Sequence, residues 1–184
     1  MKDKQTVYRF NMSKWKIVFL CFFTVVVVRL FFFSNYIVEG HSMNPTLEDG
    51  NLLIVNTFFY NIDRPDRFDI VVFQQGDQSN HYVKRVIGLP GEKIEYRNDT
   101  LYINEVAVKE KFISEEKDSD LKNNLTGDFT LFDLTGQETV PEGHVFVIGD
   151  NRLGSYDSRH FGFIKVEDII GKVNMRYWPI SGIN

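Results

Sequence analysis

The sequence predicts a mostly β protein, with a single N-terminal transmembrane helix followed by an all-β domain. Three observations predict it. Seventeen residues near the N-terminus, Ile17–Phe33 (IVFLCFFTVVVVRLFFF), hold one charge, Arg29. Beyond Gly40, eight short β-branched and aromatic runs alternate with turn residues, and no long helical periodicity separates them. The chain has 184 residues, 43% hydrophobic and 25% charged, which suits one globular domain with a real core.

The apolar stretch is at the lower limit for spanning a bilayer as a helix. Tyr36, Ile37 and Val38 extend it, and Arg29 near its outer end can snorkel to the headgroups. A buried core helix fits poorly, because the segment is apolar on all faces. A cleaved signal peptide needs small residues at its cut, yet Ala107 is the only alanine in the chain. An uncleaved signal-anchor over residues 17–38 fits best. Residues 1–16 carry Lys2, Lys4, Arg9, Lys14 and Lys16 against Asp3, which predicts a cytoplasmic basic tail and an extracytoplasmic body over 39–184. The lone cysteine, Cys21, excludes an internal disulfide and a multi-cysteine zinc site.

Strands are expected at Leu52–Val55, Phe68–Phe73, Tyr82–Ile87, Lys93–Tyr96, Leu101–Ile103, Val106–Val108, Val145–Ile148 and Ile169–Tyr177. Leu101–Val108 reads as a hairpin turning at Asn104-Glu105. Residues 109–128 are polar and charged, and read as an exposed excursion. The net charge of −4 hides an asymmetry. The basic tail and Arg29 leave −9 for the rest of the chain. An acidic body argues against a nucleic-acid partner.

Several tempting patterns fail. Gly149 to Gly154 has phosphate-loop spacing, but Ser155-Tyr156 follows it instead of Lys-Ser/Thr. Asp150–Phe161 opens like a calcium loop, but Arg152 and Gly154 occupy ligand positions. His41, His81, His144 and His160 lack metal-ligand spacing. Asn98-Asp99-Thr100 and Asn124-Leu125-Thr126 match the glycosylation sequon, which recurs by chance.

Three segments stand out. Gly40-His41-Ser42-Met43-Asn44-Pro45-Thr46-Leu47 directly follows the apolar stretch. In Tyr82–Gly91, strand alternation puts Lys84 on one face with Tyr82 and Val86, and Arg85 on the other with Val83 and Ile87. One of these two cations must face the more apolar side. Gly149–Arg159 reads GDNRLGSYDSR. Alone, each has a plain reading: a polar turn, an edge-strand charge and a loop with an ion pair.

Together and in this order they resemble the bacterial type I signal peptidases, in the small form of Gram-positive bacteria. Ser42–Leu47 is similar to the family's S-M-x-P-T-L box, and Lys84–Gly91 to its K-R-x-x-G-x-P-G box. Phe68–Phe73 resembles the strand box between them, and Gly149–Arg159 the G-D-N-R-x-x-S-x-D-S-R box. Leu153 and Gly154 stand where an acid and an asparagine are common. Gly40 stands where some relatives place a hydroxyl that helps hold the oxyanion.

The resemblance implies a signal-peptidase-type β domain and a serine endopeptidase without cofactor or metal. It implies Ser42 as nucleophile and Lys84 as general base, Ser155 orienting the lysine, Asp157 paired with Arg159, and Asp150 bracing the loop. The implied substrates are signal peptides of secreted preproteins, cut after small residues at −1 and −3. The implied setting is the lipid bilayer, near the secretion translocase. A lysine with an ordinary pKa near 10.4 needs help to act as a base: lowering it by about three pH units disfavours the ammonium form by roughly 4 kcal/mol. Desolvation among apolar neighbours is the usual means. The rival readings are a membrane-anchored β domain that only binds, and a self-cleaving Ser-Lys repressor. The second needs a DNA-binding region, and this body is acidic.

Overall fold

The computed structural model describes residues 14–57, 64–76, 80–113, 125–178 and 180–181. Helix α1 (Lys14–Phe32) runs directly into strand β1 (Phe33–Ile37). Among the described residues, no helix is long and apolar enough to cross a membrane. The expected apolar span to Val38 is corrected at its outer end, because residues 33–37 are a strand. β1 pairs antiparallel with β2 (Leu52–Asn56), from Phe33 opposite Asn56 to Ile37 opposite Leu52. The β2 ladder offers these backbone groups partners that a longer helix would otherwise supply. Residues 1–13 of the basic tail lie outside the described residues.

Among the described residues, every strand pairing is antiparallel. The larger sheet continues from β2 through the long C-terminal strand Ile169–Trp178 to β3 (Ile70–Gln74), β4 (His81–Gly88), His144–Ile148 and Ile164–Lys165. The smaller sheet holds β5 (Ile94–Arg97), β6 (Thr100–Ile103), β7 (Val106–Val108) and β8 (Phe129–Thr130), in the order β7-β6-β5-β8. Two short helices follow in sequence, α2 (Leu131–Thr135) and α3 (Ser158–Phe161). The remaining strands are numbered β9 (His144–Ile148), β10 (Ile164–Lys165), β11 (Ile169–Trp178) and β12 (Ile180–Ser181). The hairpin at Asn104-Glu105 forms as expected, with φ of 50° and 71°, and Asn98-Asp99 makes a second with 49° and 57°. Two successive left-handed residues match the twist of the flanking strands.

The core has three parts. Ile87, Tyr96, Leu101, Phe146 and Ile148 form the first, joining residues of both sheets. Val71, Phe73, Val86 and Val147 form the second, and Met43, Leu47, Leu53 and Val72 the third. Each fully buried side chain of this kind contributes about 1.5–3 kcal/mol. β3 and β9 are rich in Val, Ile and Phe, and together with β4 they are buried along most of their length at the centre of the larger sheet.

At the described ends of the polar excursion, Lys109, Lys111 and Asp128 are exposed, while two other side chains turn inward. Glu110 is buried against Arg152, and Phe112 packs on Phe68 with ring centroids 5.1 Å apart. A carboxylate with a buried arginine partner and an aromatic ring over the core have reason to leave solvent. Residues 114–124 lie outside the described residues.

Candidate active site

Ser42 sits in the loop between β1 and β2. Val38 N–H donates to Asn51 O (2.9 Å) and Gly50 N–H to Val38 O (2.9 Å), closing the loop at its base. Within it, Leu47 N–H donates to Met43 O (2.9 Å) in a single helical turn. Met43 and Leu47 are fully buried on the core side of that turn. Burying these two side chains fixes the turn while Ser42 remains at the surface of a groove.

Lys84 lies on β4 opposite Val71 of β3. The sequence requires one of Lys84 and Arg85 to face apolar surroundings, and both are buried, at 3% and 2% exposure. Lys84 Nζ donates to Ser42 Oγ at 2.7 Å and to Val83 O at 3.1 Å. Burial lowers its pKa to about 8, against the upward pull of Asp157 and Asp150.

The loop after β9 closes over this pair. Asn151 N–H donates to Ser42 O (3.1 Å), and Asn151 Nδ2 donates to His41 O (3.0 Å). A Cβ at Gly149 would collide with Ser155 Oγ and with Ser42 O, so only glycine lets the two segments meet here. Three arginine–carboxylate pairs hold the loop. Arg85 grips Asp150 in a fork (Nε–Oδ1 2.8 Å, Nη2–Oδ2 2.6 Å), and Phe112 covers the guanidinium at 3.8 Å. Arg159 grips Asp157 the same way (2.9 Å and 2.9 Å). Arg152 donates to Glu110 at 2.6 Å and to the Tyr96 hydroxyl at 3.0 Å. Burial pushes the Asp157 carboxyl up, but Arg159 and the Gly149 N–H outweigh it and hold the carboxyl below its usual range. The acids of this loop are thereby matched to arginines, which limits their pull on Lys84.

Ser42 and Lys84 line one groove, while Asp150, Ser155, Asp157 and Arg159 belong to the loop held against it through Asn151 and Gly149. The resemblance implies that Ser155 orients Lys84, and in this structure the two make no hydrogen bond. Ser155 Oγ is buried without a hydrogen-bond partner, packed at Gly149 in the space a side chain there would fill, and Lys84 Nζ is held by Val83 O instead. Ser155 lies close enough to Asp157 to help lower its carboxyl, outside hydrogen-bond geometry. The groove, about 590 Å³, runs beside the pair between Tyr36–Met43 and Asn80–Lys84, with Tyr156 at one side.

A model of the family described as signal peptidase, peptidase S26, matches residues 11–178. The chain belongs to the peptidase S26 signal peptidase family. Among its S26 relatives, it is 56% identical over 163 residues to a signal peptidase I of Bacillus caldolyticus, covering 89% of each chain. It is 49% identical over 142 residues to signal peptidase I V of Bacillus subtilis, covering 77% of this chain and 84% of that one. The crystal structure of a signal peptidase I from Enterococcus faecalis superposes with a TM-score of 0.56 at 48% identity, over 61% of this chain and 98% of that one.

Reading motifs alone missed several residues that build the site. Arg85 is the partner of Asp150, Glu110 that of Arg152, and Asn151 ties the third motif to the first. Arg85 carried a signal, since it is a cation in a strand flanked by Val83, Ile87 and Val86. Glu110 carried none, because it sits among charged residues of the excursion.

Proposed function

We propose that this chain is a membrane-held serine endopeptidase that removes N-terminal signal peptides from exported preproteins, with Ser42 as nucleophile and Lys84 as general base. The observation that carries the reading is the 2.7 Å contact between Lys84 Nζ and Ser42 Oγ, made by a lysine buried enough for its pKa to fall to about 8. At pH 7 about a tenth of such lysines are neutral, against about 1 in 3,000 with an unperturbed side chain. Neutral Lys84 takes the Ser42 hydroxyl proton as Oγ attacks the scissile carbonyl. The Ser42 N–H supports the oxyanion, and Gly40 supplies no side-chain hydroxyl to assist it. Lys84 returns the proton to the leaving amine, then takes one from the water that hydrolyses the Ser42 ester. Asp157, Arg159, Asp150 and Ser155 support the loop that covers the dyad.

The substrate class follows from the relatives named signal peptidase I. β9 pairs with β4 from Arg85 onward, so an extended peptide has His81–Lys84 as an edge to pair with. The cut follows small residues at −1 and −3. The bilayer reading rests on α1, where Trp15, Ile17, Val18, Phe19, Leu20, Phe22, Phe23 and Val25 are all exposed. A helix apolar all round needs a non-aqueous surrounding. Basic residues before it favour an N-terminus in the cytoplasm and the β domain on the outer face. Anchoring raises the effective concentration of a substrate held in the same plane.

The test is cleavage of a labelled preprotein by the full chain in detergent micelles, with the new N-terminus read by mass spectrometry. One cut after a small −1 residue is expected. No cut across several preproteins by folded protein contradicts the reading. Protease protection in inverted membrane vesicles checks the topology: residues 39–184 should be shielded.

A further inference from the structure

We infer that Asn151 is the positioning residue that aims the oxyanion donor, an inference that rests on the proteolytic reading above. The peptide unit between His41 and Ser42 precedes the nucleophile directly. Its C=O and N–H point in opposite directions, because the unit is planar and trans. Whatever holds the His41 carbonyl therefore sets the direction of the Ser42 N–H, the group assigned to the oxyanion.

Asn151 holds it. Its Nδ2 donates to His41 O at 3.0 Å, and Asn44 N–H shares the same acceptor at 3.2 Å. The backbone N–H of Asn151 donates to Ser42 O at 3.1 Å. One residue thus grips the carbonyls on both sides of the nucleophile, which limits rotation of the backbone at Ser42. The amide is itself fixed. Gly154 N–H donates to Asn151 Oδ1 at 3.0 Å, so the nitrogen end of the side chain must face His41. A donor that is already aimed costs no reorganisation when charge develops, and that is the source of oxyanion stabilisation.

This role separates from that of the base. Lys84 sets the fraction of enzyme able to start the reaction, and Asn151 sets how well the tetrahedral intermediate is held. Asn151 carries no charge, so its loss leaves the electrostatics of Lys84 in place.

The experiment compares wild type, Asn151→Ala and Asn151→Leu as full chains in micelles on one preprotein, reading kcat, KM, the pH at half-maximal rate and the unfolding midpoint. Alanine removes the amide, and leucine keeps most of its bulk without the donor. Removing an oxyanion donor outright costs about 10²–10³ in kcat, so misaiming one is expected to cost about 10- to 100-fold. KM should stay within about twofold and the pH midpoint should not move. A kcat within about twofold of wild type in either folded variant overturns the inference. So does a loss confined to KM, or a loss that comes with a shifted pH midpoint. A folded wild type that cuts no preprotein overturns the proteolytic reading and this inference with it. That outcome is distinct, because the comparison between variants needs an active parent.

Discussion

Replacing Arg85 with methionine tests how the buried ion pairs serve the dyad. The Arg85–Asp150 fork is closed at 2.8 and 2.6 Å, and its side chains are 2% and 0% exposed. Methionine keeps the apolar stem and removes the charge, leaving Asp150 buried without its partner. Breaking a buried pair from one side costs about 3–5 kcal/mol. For a domain of this size that lowers the unfolding midpoint by about 6–20 °C. A second effect follows from sign. Asp150 already pulls the Lys84 pKa upward, and Arg85 offsets that pull while it is present. Without Arg85 the ammonium form is favoured, so the pH at half-maximal rate should rise above about 8. Each pH unit of that rise lowers the neutral fraction at pH 7 about tenfold. Adding Asp150→Asn should bring the pH midpoint back down. The assay pairs thermal unfolding by circular dichroism with kcat/KM against pH. An Arg85→Met variant that unfolds within about 2 °C of wild type, or whose pH midpoint stays put or falls, would refute the reasoning.

Three further outcomes are expected. Lys84→Arg should lose activity about as completely as Lys84→Ala in the preprotein assay, because a guanidinium stays protonated. In wild type, kcat/KM should rise with pH through about 8, since the neutral amine is the working form; a falling limb there would reverse the assignment of acid and base. Gly149→Ala should cost at least tenfold in kcat and about 1–3 kcal/mol of stability in denaturant titration, because its Cβ meets Ser155 Oγ and Ser42 O.

Much of the fold and site was legible in the sequence, and the reasons are local. Strand alternation and turn residues marked the strands around Val71, Val86 and Val147 and the Asn104-Glu105 hairpin. The motif order brought Ser42 and Lys84 together across 42 positions. What escaped depends on partners far away in sequence. Phe33–Ile37 continues directly from the apolar helix, and its pairing with β2, later in the chain, is what shows it as a strand. The two-residue strands β8, β10 and β12 are too short to show a period. Glu110 looks solvated until Arg152, 42 residues on, is seen beside it. Ser155 Oγ is buried beside Gly149 without a hydrogen-bond partner, a close approach that no local pattern announces.

The most direct test of the Ser42–Lys84 dyad is preprotein cleavage by wild type, Ser42→Ala and Lys84→Ala, each shown to be folded by circular dichroism. Cleavage after a small residue by wild type, and by neither variant, is the predicted result. Cleavage by either folded variant at more than about a hundredth of the wild-type rate would contradict the account, since loss of a nucleophile or its base costs about 10⁴-fold or more.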